Sequence, residues 1–214
     1  MNSKAKRITT IAMLCAISYA VMAVGRVPVV LFLKYDPKDV IITLGGLIWG
    51  PFTAFIVSVI VSFIEMFSVS DTGIIGCVMN ILSTCAFACT ASIIYKKKHS
   101  LAGATTRLLA GCLVMTSVML IWNYLITPFY MGYPREAVAE LLLPAFLPFN
   151  LIKSGLNAAF TFLLYKPVIT ALRKSGYLSA SGQSPRRRHT GMILFSVTVA
   201  VTCILLILSM NGIL

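Results

Sequence analysis

Acidic residues are scarce in this chain. Six Asp and Glu stand against eighteen Lys and Arg, and charged residues together make up 11% of the 214. Ordinary soluble domains carry roughly 25% charged residues, so a chain this poor in charge and 58% hydrophobic reads as one integral membrane domain. Histidine is rarer still: His99 and His189 both lie in basic stretches. No C-x-x-C pair occurs. The six cysteines (Cys15, Cys77, Cys85, Cys89, Cys112 and Cys203) all lie in apolar runs. That spacing argues against a metal site and gives no disulfide framework, so the thiols read as small buried hydrophobes. Three motifs are missing as well: G-x-x-x-x-G-K-[ST], H-E-x-x-H and G-x-S-x-G. The chain therefore has no phosphate loop for ATP hydrolysis, no zinc-protease helix and no nucleophile elbow. A protein of this kind that moves a solute uphill draws the energy from a partner or an ion.

What is present is a series of apolar runs. Seven can be drawn, at about 8–24, 40–49, 52–67, 73–95, 108–127, 149–172 and 192–210. A full span needs ~20 apolar residues. The second and third runs are short and meet at Gly50-Pro51, a turn signal, so they read as two helices and not one bent span. With the N-terminus inside and seven crossings, thirteen basic residues fall on the inner loops. Four (Arg26, Lys34, Lys38 and Arg135) fall outside, and Lys153 stays in the membrane. All six acids fall at the outer side, dispersed rather than arranged as a proton relay. The excess of inner Lys and Arg explains the net charge of +12 without nucleic acid and sets the N-terminus in the cytoplasm. The first run exceeds the roughly 7–15 residues of a signal-peptide core, so it reads as a retained span. The chain thus divides into a membrane domain over 1–174, a basic cytoplasmic linker over 175–191 and a further transmembrane segment over 192–214. That last segment has no ionisable residue and reads as appended, with no part in chemistry.

The stretch "LPAFLPFNLIKSGLNAAFTFLLY" carries Asn150, Lys153 and Asn157. Spaced i, i+3, i+7, they share one helix face. With Pro148 as the outer end, Lys153 stands about one turn in. It either snorkels to the interface or lines a polar cavity open to the outside. Asn80, Asn123, Tyr124 and Glu65 fall near the same outer level. Asn within spans serves as glue between helices or, when several converge with Lys and Glu, as a binding site. An Asn amide offers a donor and an acceptor side by side, a match for the edge of a pyrimidine-like ring. Trp122, Tyr124, Phe129 and Tyr130 can pack on a flat ring or form an interfacial girdle. In "VVLFLKYDPKDVI" the Asp36-Pro37 and Lys38-Asp39 pairs read as a turn, with Asp39 as N-cap of the next helix. The β-branched run ahead of it is placed to cover a pocket. In the first run Ala12, Ala16 and Ala20 recur every four residues, a small-residue face that permits close helix approach.

Together "FLKYDPKD", "GLIWGPFTAF", "TGIIGCVMN", "NYLITPFY" and "PFNLIKSGL" resemble the riboflavin-binding S components of bacterial energy-coupling factor (ECF) transporters, over roughly 9–174. The resemblance implies an all-α bundle of six membrane helices, to which the last segment adds a seventh. It implies a flavin pocket open to the outside, assembly in the bacterial cell membrane with a transmembrane coupling subunit and two ATPase subunits, and no enzymatic activity. Riboflavin is then a transported ligand and not a cofactor. By the same resemblance, Asn123, Asn150 and Lys153 contact the isoalloxazine. Asn80 and the loop over Leu33, Lys34 and Asp36 complete the pocket, and Ala12, Ala16 and Ala20 contact the coupling subunit. Thiamine or a pyridoxine-like vitamin is the alternative ligand. A small membrane enzyme acting on a lipid headgroup is a more distant reading, because its paired carboxylates would be needed on the inner side.

Overall fold

The computed structural model describes residues 3–70, 72–97, 102–177 and 190–210. Most of the linker, with Arg186, Arg187, Arg188 and His189, lies outside the described residues, as do His99 and Asp71. The elements in order are α1 (Ser3–Gly25), β1 (Val27–Val30), β2 (Leu33–Tyr35), α2 (Lys38–Trp49), α3 (Pro51–Ser68), α4 (Gly73–Lys97), α5 (Ala102–Met131), α6 (Arg135–Leu141), α7 (Leu147–Lys174) and α8 (Thr190–Met210). A π-helical turn, Leu142–Phe146, joins α6 to α7. Five helical stretches are long and apolar enough to cross a membrane, and α8 contributes a shorter apolar core, Ile193–Ser209. The protein is an all-α multi-pass membrane protein with one small β-hairpin.

Helices α2 and α3 are separate, as Gly50-Pro51 predicts. Gly50 sits at φ 101, a conformation open to glycine and poorly tolerated by other residues. Pro51 then starts α3, where its missing N–H costs nothing. At 1.5 Å per residue the twelve residues of α2 reach only about 18 Å, short of a ~30 Å hydrocarbon core. Packing makes up for length: α2 lies against α1, α3, α4 and α7. Close approach depends on Gly46, where an added Cβ would meet Ala54 Cβ at 2.8 Å and also collide with Ser92 Oγ.

Polarity in α3 is reversed relative to a soluble helix. Its buried face carries Thr53, Ser58, Ser62 and Glu65, while Phe55, Phe63 and Phe67 are exposed. Lipid accepts the aromatic side, and the small hydroxyl side lets neighbours approach closely. The bundle is cored in three places: between α1, α2, α3 and α4 around Val57 and Val61, between α4 and α5 around Phe87 and Met115, and at one end around the hairpin, α7 and α8.

Two sequence expectations change here. Pro148 is not the end of a span. The helical rod runs from Arg135 through the π-helical turn into α7, and this irregular backbone carries Pro144 and Pro148 without ending the helix. Lys153 therefore lies deeper than one turn from the end, and it is buried. The last segment is not merely appended either: α8 packs against α7 and β1. Its buried face (Ala200, Cys203 and Ile207) belongs to the same core as Val29, Leu33 and Tyr35 of the hairpin.

Candidate functional site

The apolar run after α1 folds as an antiparallel hairpin, pairing Val27 with Tyr35, Pro28 with Lys34 and Val30 with Leu33. Leu31 turns it at φ 51, a backbone region uncommon for a non-glycine residue. The hairpin lies over the end of the bundle and covers a cavity of about 130 Å³. From the hairpin and the loop beyond it come Phe32, Leu33, Lys34 and Asp36. Below them the wall is made by Glu65 of α3, Met79 and Asn80 of α4, Met119 and Tyr130 of α5, and Phe149, Asn150 and Lys153 of α7. A shallow cleft of about 10 Å³ adjoins it at Trp122, Thr127 and Tyr130.

Beneath the hairpin the charges are not dispersed. Arg26 pairs with Asp36 at 2.6 Å and with Glu65, and Glu65 also pairs with Lys38. Asn80 Nδ2 donates to Glu65 at 2.9 Å. Next to this group Asp39 accepts from Thr84 at 2.7 Å and from Asn157 at 3.3 Å, and pairs with Lys153 at 3.4 Å. Three acids and three bases are thus gathered in a neutral cluster. Lys38, Asp39 and Glu65 are at most 2% exposed, which is tolerable in a membrane interior only because each charge is paired. Burial works against the Asp36 carboxylate, yet Lys38, Lys153 and Arg26 hold its pKa below the ordinary carboxylate range.

Asp39 is accordingly not an N-cap. Pro37 holds that position, with no side-chain capping bond, and the Asp39 carboxylate turns inward to its three donors. Lys153 does not snorkel, because its ammonium is held by Asp39. It carries three donors, and the Asp39 pair leaves some of them to face the cavity.

Asn80, Asn150, Lys153, Leu33, Lys34, Asp36 and Glu65 all line the cavity. Asn150 donates through Nδ2 to Phe146 O at 2.8 Å, while its Oδ1 is buried with no partner. Asn123 does not line the cavity; its Oδ1 accepts from Thr127 at 3.0 Å and its Nδ2 is buried and unpaired. A buried polar atom without a partner is uncommon and calls for a ligand or a water. Tyr124 is not brought into the site. It is 40% exposed and stacks beneath the Arg135 guanidinium, because one residue along a helix from Asn123 turns ~100° away. Phe129 also faces outward.

Sequence reasoning missed Arg26, Phe32, Met79, Met119 and Phe149 as cavity residues. Phe32 meets Tyr130 edge-on, with ring centroids 5.1 Å apart, and had a signal as the aromatic residue in the β-branched run. Ala12, Ala16 and Ala20 do not line the cavity. All three are exposed on α1, so the small-residue stripe faces away from this chain's own core.

A membrane bundle with a polar, partly unsatisfied cavity overlain by a hairpin at one end is built as a solute-binding membrane subunit. Comparison with known proteins makes this specific. Residues 6–165 match the family "ECF transporter, substrate-specific component", and the chain belongs to it. It is 30% identical to the riboflavin transporter RibU of Staphylococcus aureus over 79% of this chain and 93% of that protein. It is 29% identical to the riboflavin transporter FmnP of Bacillus subtilis over 80% of this chain and 98% of that one. Among solved structures it matches one described as the S component of a bacterial ECF transporter, with a TM-score of 0.67 and 30% identity over 79% of this chain and 99% of that one.

Proposed function

We propose that this chain binds riboflavin in the cavity beneath the hairpin and delivers it through an ECF complex. The observation that carries the reading is the cavity wall. Asn80, Asn150 and Lys153 line it together: the Lys153 ammonium is a donor for flavin carbonyls, the unpartnered Asn150 Oδ1 is an acceptor for the ring imide N–H, and both curated relatives are riboflavin transporters. Phe32 and Tyr130 supply faces for the ring. At about 130 Å³ the cavity is tighter than the ~300–1,000 Å³ of common small-molecule sites. Entry of a flavin therefore requires the hairpin to lift.

Titration tests the ligand. The detergent-solubilised chain quenches riboflavin fluorescence to saturation at one flavin per chain, and thiamine and pyridoxine do not compete. Tight binding of another vitamin with no response to riboflavin overturns the ligand and leaves the family intact.

The cavity faces outward and the N-terminus is cytoplasmic. Lys6 donates to Tyr177 O at 3.1 Å, so the basic start of α1 and the basic end of α7 share one side, where the excess of Lys and Arg belongs. Since α8 then leads back outward, an epitope placed after Leu214 is labelled on intact cells. Labelling only after lysis contradicts this orientation.

Transport draws on partners, because the sequence carries no G-x-x-x-x-G-K-[ST] phosphate loop to bind ATP. A transmembrane coupling subunit docks on the exposed Ala12–Ala16–Ala20 face, and two ATPase subunits drive the complex.

A further inference from the structure

The matched family region ends at residue 165, before α8, yet α8 reaches the lid. Ala200, Cys203 and Ile207 are 6%, 8% and 7% exposed, while Val201, Ile204, Leu205 and Leu206 face outward. The buried three are spaced i, i+3, i+7, one face of the helix. They enter the cluster that contains Val29, Leu33 and Tyr35 of the hairpin and Phe149 of α7. Leu33 and Phe149 also line the cavity, so one apolar layer has the cavity on one side and α8 on the other. Gly155 lets α8 approach α7: a Cβ there would stand 3.3 Å from Cys203 Sγ. Tyr35 of the hairpin and Cys203 of α8 belong to this same buried layer.

We propose that α8 fastens the lid: seated on α7 at Gly155 and on the hairpin core through Ala200, Cys203 and Ile207, it holds the hairpin closed over the cavity and slows ligand exchange without touching the ligand. A two-stranded hairpin is marginal by itself, and segments that open over sites are drawn from the least stable parts of a fold. The apolar surface that α8 adds behind the strands lowers the population of the open lid. This inference rests on the assignment of the cavity as the ligand site.

The test uses the full chain in detergent with two readouts: hydrogen exchange of hairpin amides 27–35 without ligand, and the rate of riboflavin release followed by fluorescence recovery. Ile207→Ala and Cys203→Trp loosen α8, and both readouts are expected to speed up by roughly tenfold. Gly155→Cys provides the opposite arm, because the distance to Cys203 suits a disulfide. Oxidation of that variant is expected to slow both readouts relative to its reduced form, and Gly155→Cys/Cys203→Ser is expected to show no redox effect. Unchanged hairpin exchange in Ile207→Ala, together with equal rates in oxidised and reduced Gly155→Cys, overturns the proposal. Should Cys203→Trp fail to fold, these two variants decide the matter. Should riboflavin fail to bind the unaltered chain, the ligand assignment falls, and hairpin exchange alone still decides whether α8 fastens the hairpin.

Discussion

Ala16→Trp abolishes riboflavin uptake while leaving riboflavin affinity within about twofold. The reason lies in the separation of two surfaces. Ala12, Ala16 and Ala20 are exposed on α1, and no cavity residue belongs to that helix. Lipid supplies no hydrophobic drive between helices, so docking depends on close backbone approach, which small residues permit. An indole at the centre of the stripe wedges the coupling subunit away. The check is paired: fluorescence titration of the isolated variant, and labelled uptake in cells that lack other flavin importers. Co-purification of the coupling subunit should be lost together with uptake. Normal uptake by Ala16→Trp would make the stripe no more than an Ala-rich face. Loss of binding as well would mean that the face serves this chain's own packing.

The second large effect is at Lys153. With riboflavin bound as proposed, Lys153→Met removes a bond from a charged donor, an expected cost of ~1.5–3 kcal/mol, or roughly 10- to 150-fold in affinity. The same change strips Asp39 of its ammonium, and breaking a buried ion pair costs ~3–5 kcal/mol of stability. The two consequences separate in the double variant. Asp39→Asn removes the orphaned charge while keeping an acceptor for Thr84, which donates to Asp39 at 2.7 Å. Asp39→Asn/Lys153→Met should therefore recover most of the thermal stability lost in Lys153→Met and none of the affinity. Calorimetric titration and thermal unfolding on the same preparations make the comparison. Full affinity in the double variant would confine Lys153 to a structural role as the partner of Asp39.

The features read in advance are those written in local chemistry. Gly50-Pro51 splits α2 from α3 by a φ that glycine adopts freely. The spacing of Asn150, Lys153 and Asn157 sets all three on the buried face of α7. The apolar run before Asp36 does cover a cavity. The ion cluster was not legible, since its pairs join positions far apart in sequence. Glu65 meets Arg26 and Lys38, and Asp39 meets Lys153, and such long-range partners leave no periodic trace. From sequence five of the six charges could only be counted to the outer side, and Lys153 stood unpaired in the membrane. Tyr124 shares the outer level of Asn123, but level along a helix does not fix facing: one residue further on, its ring turns away from the cavity and lies 40% exposed. The packing of α8 was hidden too: a helix without charged residues shows no preferred partner until the fold reveals which face is buried.

The most direct test is the visible absorption spectrum of the purified chain after incubation with riboflavin and gel filtration. A flavin spectrum at about one chromophore per chain, absent from Asp39→Asn/Lys153→Met, is the expected result. A chain that elutes colourless after saturation with riboflavin contradicts the assignment of the cavity as a flavin site.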